Sequence, residues 1–295
     1  MLLKNLINNL PEKKKNIVVT GLSINSKNVK KGHIFFAIKG SNFDGNKFIK
    51  EAVKKGASVI VTSNNFKSKS KKIFTIKRKN IRNLVSEVSS KFYEQKPKNI
   101  IAITGTNGKT SVADLFYQIL SLNNIPAASI GTLGVKYNNR VIKTGLTSPD
   151  TISIHKYLQK LKESKIDNVI IETSSHGLSQ YRVHHINFKA AIFTNFSQDH
   201  LDYHKNMKSY LNAKLILFKT ILSKKSSIVL DKTIKEFPLL KKIVKNRNLR
   251  LNEISKTVEK IKHFSMVNDS EFKTKNLAMA ILSAKLCGLP DNKIY

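Results

Sequence analysis

The chain has 295 residues, 53 Lys or Arg against 19 Asp or Glu, giving a formal charge of +34. That length predicts two domains with substantial cores and rules out a mini-protein that needs cross-links. A single cysteine, Cys287, excludes an internal disulfide and a multi-cysteine zinc site, which suits a reducing cytoplasm.

The opening run Met1-Leu2-Leu3-Lys4-Asn5-Leu6-Ile7 is too short and too soon charged for a secretory signal, and no later apolar run reaches membrane-spanning length. A soluble, cytoplasmic protein without membrane insertion is expected. The positive charge raises the question of nucleic acid. The lysines, however, are scattered: runs such as Lys13-Lys14-Lys15 and Lys67 to Lys72 sit beside turn-like Ser and Asn, and no basic stripe interleaves with aromatics. No specific nucleic-acid partner is expected, only non-specific retention.

Strand-like segments at 33–38, 57–62 and 72–76 alternate with helical patterns carrying Phe48, Ile49, Ala52 and Val53, then Ile81, Leu84, Val85, Val88 and Phe92. Tyr93-Glu94-Gln95-Lys96-Pro97-Lys98 interrupts them with proline and charge, so the expected domains are 1–95 and 96–295. In the second, continuous apolar runs at 99–103, 168–171, 189–194 and 227–230 read as buried strands with helices between them. The fold class is α/β: a small N-terminal α/β domain, then a central domain with a mostly parallel sheet flanked by helices. Ligands in such sheets sit beyond the C-terminal strand ends, where Thr104, Glu172 and Asn195 fall. The lysine-rich stretch 231–270 carries no assignable pattern.

Thr104-Gly105-Thr106-Asn107-Gly108-Lys109-Thr110 lies between a strand-like run and a helix patterned by Val112, Leu115, Phe116, Ile119 and Leu120. This is the setting of a phosphate-binding loop. Glycines let the backbone approach phosphate, the helix N-terminus offers free N–H groups, Lys109 neutralises charge and the Thr110 hydroxyl can ligate Mg²⁺. Ile103 stands where the strict pattern has glycine, so the loop is a shortened version. Gly105, Thr106, Asn107, Gly108, Lys109 and Thr110 are the expected nucleoside-triphosphate residues.

Glu172 ends a strand facing this loop, where a carboxylate serves as a Mg²⁺ ligand. The run 195–204 gathers Asp199, His200, Asp202 and His204. One reading is a transition-metal pair, His200 and His204; a second divalent-cation site beside the nucleotide, with His200 as ligand, fits better. Lys214 falls on the apolar face defined by Met207, Leu211, Phe218 and Ile221. Pattern alone favours snorkelling; the alternative is a desolvated amine able to form a carbamate with CO₂. In Thr147-Ser148-Pro149-Asp150, Ser148 reads as a helix cap and Pro149 as the first helical residue.

Together these residues resemble the Mur ligase family, and within it the branch that adds the third residue of the peptidoglycan stem peptide. The resemblance includes Gly32 to Gly40 with Asp44-Gly45, the phosphate loop, Gly131-Thr132-Leu133-Gly134, Thr147 to Asp150, Glu172 to Arg182 and Asn195 to Lys214. It implies ATP-dependent amide ligation of UDP-N-acetylmuramoyl-L-alanyl-D-glutamate with diaminopimelate or lysine, through an acyl phosphate. It implies ATP and Mg²⁺ as cofactors, Lys109, Lys214 and His200 as catalytic residues, and Thr110, Glu172, His200 and Lys214, the last as N6-carboxylysine, around metal. By the same resemblance Ser26 and the loop Ser41, Asn42 and Phe43 contact uridine. Asn107, Thr147, Ser148, Ser174, Gln180 and Arg182 hold the remainder of the substrate.

Two departures stand out. Asn25-Ser26-Lys27 replaces the family's Asp-Ser-Arg, and the family's third, amino-acid-binding domain is not in the sequence. Two alternatives stay open: a non-catalytic module binding UDP-muropeptide or ATP, and another ligase of the superfamily such as folylpolyglutamate synthase.

Overall fold

The computed structural model describes residues 1–40, 43–64, 66, 73–264 and 270–293. Two compact units result: Met1–Glu94 with Thr151–Lys156, and Gln95–Asp150 with Tyr157–Tyr295.

The first unit holds four parallel strands in sequential order, β1 (Gly21–Ser23), β2 (His33–Phe36), β3 (Val59–Thr62) and β4 (Phe74–Lys77). Strand alternation sorts their side chains. Ile34, Phe36, Val59 and Val61 pack with Ile81, Leu84, Val85 and Val88 of the helix Ile81–Phe92, whereas Phe35 and Ile60 pack with Ile49, Ala52 and Ala57 on the other face. Burial on both faces explains why β2 and β3 read as continuous apolar runs. β1 is three residues, Gly-Leu-Ser, and gave no strand signal. Lys72, expected to open the fourth strand, and the rest of the Lys67 to Lys72 run lie outside the described residues.

The second unit is built on eight strands: β5 (Asn99–Thr104), β6 (Ala127–Gly131), β7 (Gly134–Tyr137), β8 (Arg140–Ile142), β9 (Asn168–Glu172), β10 (Ala190–Phe193), β11 (Ser227–Leu230) and β12 (Arg250–Glu253). Their order is β12-β11-β10-β5-β9-β6-β7-β8, parallel except where β7 pairs antiparallel with β6 and with β8. Asn138 and Asn139, at φ 46° and 57°, make the two-residue turn of that hairpin, a conformation asparagine tolerates. Ile101, Ile103, Ile170, Ile192 and Val229 pack against the helices Lys109–Leu122 and Glu271–Leu286. The intervening Ile100, Ala102, Val169, Ile171, Ala191 and Ile228 are buried as well, so the sheet is covered on both faces. β5 lies centrally between β9 and β10, and the chain leaves it toward β6 on one side and reaches β10 on the other. That reversal opens a crevice at the C-terminal ends of β5, β9 and β10.

The stretch without a sequence pattern contains the helix Phe237–Arg247, β12 and the helix Ser255–Phe264. Only Leu240, Ile243 and Val244 anchor the first helix among its lysines, and β12 is a half-exposed edge, so neither leaves a strong period. Among the described residues no helix is long and apolar enough to cross a membrane.

Candidate active site

The phosphate-type loop follows β5 directly. Gly105 at φ 147° and Gly108 at φ 85° take conformations that L side chains rarely adopt, and a Cβ on Gly108 would lie 2.7 Å from Asn276 Oδ1. The end of β10 clamps the loop: Thr106 N donates to Asn195 O (2.9 Å), Asn107 N to Asn195 Oδ1 (2.9 Å), and Thr194 Oγ1 to Asn107 O (2.6 Å). Lys109 Nζ donates to the carbonyls of Gly105 (3.0 Å) and Thr106 (2.8 Å). Burial lowers its pKa, against the pull of Glu172 and Asp199.

Glu172, 2 % exposed at the end of β9, faces this loop. One carboxylate oxygen accepts from Thr110 Oγ1 (2.9 Å) and Thr132 Oγ1 (3.2 Å), the other from Thr132 N (2.9 Å). Gly131 is required beside it, since a Cβ there would lie 2.0 Å from Glu172 Oε1. Lys214, in the helix Met207–Ile216, is 1 % exposed and does not snorkel. Its Nζ donates to Gly105 O (2.6 Å) and stands 4.4 Å from the Tyr210 ring centroid. Burial foremost, and the Lys109 charge next, bring its pKa down to about 7, with Asp199 opposing. The preference for snorkelling that spacing alone gave fails because this helix packs its lysine against the loop, and the segment beyond it, Leu217–Ile221, is a π-helical turn that breaks regular spacing.

His200 sits in the left-handed region at φ 51°, with Nε2 3.4 Å from Asp199 Oδ2. Its ring is edge-on to His176, 5.1 Å between centroids. His204 points elsewhere, its Nε2 2.9 Å from Ser175 Oγ. Among the described residues no group of three or more His, Cys, Asp and Glu could hold a metal. The transition-metal reading of His200 with His204 therefore has no support. The Thr110 and Glu172 oxygens, beside a loop shaped for phosphate, suit a hard cation such as Mg²⁺ whose remaining ligands come from phosphate.

A cavity of about 260 Å³ joins these groups. Thr106, Asn107, Gly108, Lys109, Thr110, His200 and Lys214 line it together with Thr132, Thr147, Ser174 and Ser175. Ser148 is not a helix cap: the helix starts at Thr151, and Ser148 Oγ donates to Glu172 O (3.0 Å) and accepts from Ser174 N (3.0 Å). Ser174 is itself a cap, accepting from Gly177 N (3.0 Å). Arg182 bridges, donating from Nη1 to Ser148 O and from Nη2 to Gln180 Oε1 (2.8 Å). In the first unit Ser26 is 5 % exposed and donates to Glu51 Oε2 (2.8 Å), and Phe43 is 76 % exposed. Ser41 and Asn42 lie outside the described residues. Sequence reasoning missed Thr132, Ser175 and Tyr210 as individuals and took His204 only as a metal ligand; Thr132 follows the end of β6 as Glu172 closes β9, a signal that needed β6 to be recognised.

Two family models match the chain, the Mur ligase middle domain over residues 103–288 and the Mur ligase family catalytic domain over residues 18–99. This chain belongs to the Mur ligase family. The UDP-N-acetylmuramoyl-L-alanyl-D-glutamate--2,6-diaminopimelate ligase of Rickettsia montanensis is 43% identical over 242 residues, 81% of this chain and 50% of that one. The ligase of the same name from Aquifex aeolicus is 41% identical over 217 residues, 73% of this chain and 44% of that one. This Mur ligase chain thus spans about half the length of the curated relatives it matches. Among solved structures, one of a ligase with that name superposes at TM-score 0.82 with 20% identity, over 100% of this chain and 65% of the other. A UDP-N-acetylmuramoylalanyl-D-glutamyl-2,6-diaminopimelate--D-alanyl-D-alanyl ligase from Acinetobacter baumannii gives 0.61 with 15% identity, over 97% and 63%. At those identities the two structures speak to the fold alone.

Proposed function

We propose that this Mur ligase joins 2,6-diaminopimelate to UDP-N-acetylmuramoyl-L-alanyl-D-glutamate in the cytoplasm, with ATP as energy source. The observation that carries the reading is the cavity lined together by the phosphate loop, His200, Lys214, Thr147 and Ser174, with Glu172 bonded to its lining residues Thr110 and Thr132. The names of the relatives supply the two substrates.

ATP phosphates occupy the loop, and Lys109 exchanges its two carbonyl partners for phosphate oxygens. Lys214, with a pKa of about 7, is substantially neutral at physiological pH. Its amine attacks CO₂, an N–C bond forms and a proton passes to water, which leaves a carbamate. Thr110, Glu172, His200 and that carbamate would hold Mg²⁺, which would supply charge neutralisation on the phosphates. Thr147, Ser148, Ser174, Gln180, Arg182 and Asn107 align the muropeptide, and Ser26 with the loop 41–43 takes the uridine. The terminal carboxylate attacks the γ-phosphorus and the bond to ADP breaks, giving an acyl phosphate. The amine of diaminopimelate then attacks the acyl carbon, phosphate leaves, and the ammonium proton goes to solvent. The protein contributes mainly positioning and charge neutralisation.

The test is mass spectrometry of the purified chain with ATP, Mg²⁺, bicarbonate, UDP-N-acetylmuramoyl-L-alanyl-D-glutamate and diaminopimelate. ADP and the UDP-linked tripeptide in equal amounts support the reading; no tripeptide, with the nucleotide sugar unbound, contradicts it.

A further inference from the structure

Ser175 and His204 are used by nothing described so far. Ser175 is 1 % exposed yet lines the cavity, and its Oγ lies 2.9 Å from His204 Nε2. His204 is 8 % exposed, and its ring is held between Tyr210 (5.3 Å between centroids), His176 (5.4 Å) and Tyr203 (4.8 Å). Tyr210 is tied in turn to the phosphate loop, its hydroxyl 3.3 Å from Thr106 Oγ1. The imidazole therefore has little freedom to leave Ser175.

A serine hydroxyl has one proton to give and two lone pairs. The cavity is lined by the phosphate loop and the Lys109 amine, so its occupant is anionic, and an anionic oxygen only accepts. For Ser175 to bind that occupant its proton must point into the cavity. Its contact with His204 must then be one in which Ser175 accepts, which requires the proton of the neutral imidazole to be on Nε2. The reverse arrangement, Ser175 donating to a bare Nε2, would aim lone pairs at an anion.

We propose that Ser175 donates its hydroxyl proton to an anionic oxygen in the cavity, and that His204, by donating from Nε2, fixes Ser175 in that direction. Ser175 is then a binding residue and His204 a positioning residue. The assignment rests on the proposed function for the identity of the occupant, either a phosphoryl group of ATP or the carboxylate of the muropeptide. Both present the same chemistry to a hydroxyl. The competing account is structural: the pair merely ties the helix Ser175–Ser179 to the turn Leu201–His204.

Calorimetric titration of the full chain tests this with two probes in separate arms, AMPPNP with Mg²⁺ and UDP-N-acetylmuramoyl-L-alanyl-D-glutamate. Loss of one hydrogen bond to a charged group weakens binding about tenfold or more. Ser175→Ala is expected to weaken one probe by that factor with its melting temperature kept; the arm affected names the source of the oxygen. His204→Gln, whose amide can donate to Ser175, is expected to retain most of the affinity. Nitrogen NMR of the wild-type chain should report His204 protonated at Nε2 and bare at Nδ1. If wild-type binds a probe but Ser175→Ala binds both probes as tightly, or if His204 carries its proton on Nδ1, the proposal falls and the proposed function stands. If wild-type binds neither probe, both fall together.

Discussion

Lys109 and Lys214 converge on one acceptor, both donating to the carbonyl of Gly105, at 3.0 Å and 2.6 Å. A half-buried amine and a buried one that share a single oxygen cannot both stay comfortably charged, and the buried one, Lys214, is the one whose pKa falls to about 7.

The pH dependence of stability follows with a definite sign. Unfolded, Lys214 holds its proton up to a pH of about 10.4. Folded, it does so only to about 7. The unfolded chain binds more protons between those values, so stability rises with pH across that window, and below it the charged buried amine is a constant cost. Lys214→Met should be more stable than wild-type at pH 6 by on the order of 2–4 kcal/mol, with the gain gone by pH 10. Urea denaturation at several pH values checks this; a difference independent of pH would show that Lys214 does not titrate as described.

The same depressed pKa predicts carbamate formation without any turnover. Carbon NMR of the chain in labelled bicarbonate at pH 7.5–8 should show one carbamate resonance that is missing in Lys214→Met. Identical spectra for the two would remove Lys214 from the set of metal-holding groups.

Gly131→Ala should displace the Glu172 carboxylate, because the new Cβ would lie 2.0 Å from Oε1. The bonds from Thr110 and Thr132 then lose their geometry. A loss of about 2–4 kcal/mol in stability is expected, together with loss of Mg²⁺-dependent tightening of AMPPNP binding. Thermal melts with and without Mg²⁺ measure both, and an unchanged Mg²⁺ effect would separate Glu172 from the cation.

Asp231, 3 % exposed just past β11, pairs with Lys275 at 2.9 Å and accepts from Thr233 N (2.9 Å) and Oγ1 (2.8 Å). Burial pushes its pKa up, but the bond from Lys275 and those from Thr233 outweigh it and hold the carboxyl below its usual range. Such a group stabilises the fold above its unfolded pKa and loses that contribution as pH falls through the folded one. Asp231→Asn should therefore cost about 2–3 kcal/mol at pH 7 and progressively less below about pH 4. Denaturation midpoints at pH 7 and pH 3 decide it.

The sequence made the central sheet and the phosphate loop readable because β5, β9, β10 and β11 are buried on both faces and so uninterrupted in apolarity. Glu172 was readable from its place at a strand end. What stayed hidden depends on direction and on partners from afar. Lys214 shares the spacing of a snorkelling lysine, and only the packing of its helix against Gly105 sends the amine inward. Ser148 carries the sequence marks of a cap, yet its hydroxyl serves the end of β9, 24 residues away. The Ser175 and His204 pair spans 29 residues and leaves no local trace. β8 and β12 were missed because edge strands need not be continuously apolar, and β6 and β7 because their short runs, Ala127–Gly131 and Gly134–Tyr137, carry small or charged residues among the apolar ones.

The most direct test of the account is isotope transfer from the muropeptide carboxylate. With UDP-N-acetylmuramoyl-L-alanyl-D-glutamate labelled with oxygen-18 in its terminal carboxylate, the chain, ATP, Mg²⁺ and diaminopimelate should release inorganic phosphate carrying one labelled oxygen, as attack on the γ-phosphorus requires. Unlabelled phosphate would mean that water, not the carboxylate, attacks ATP in this cavity, and would contradict the account.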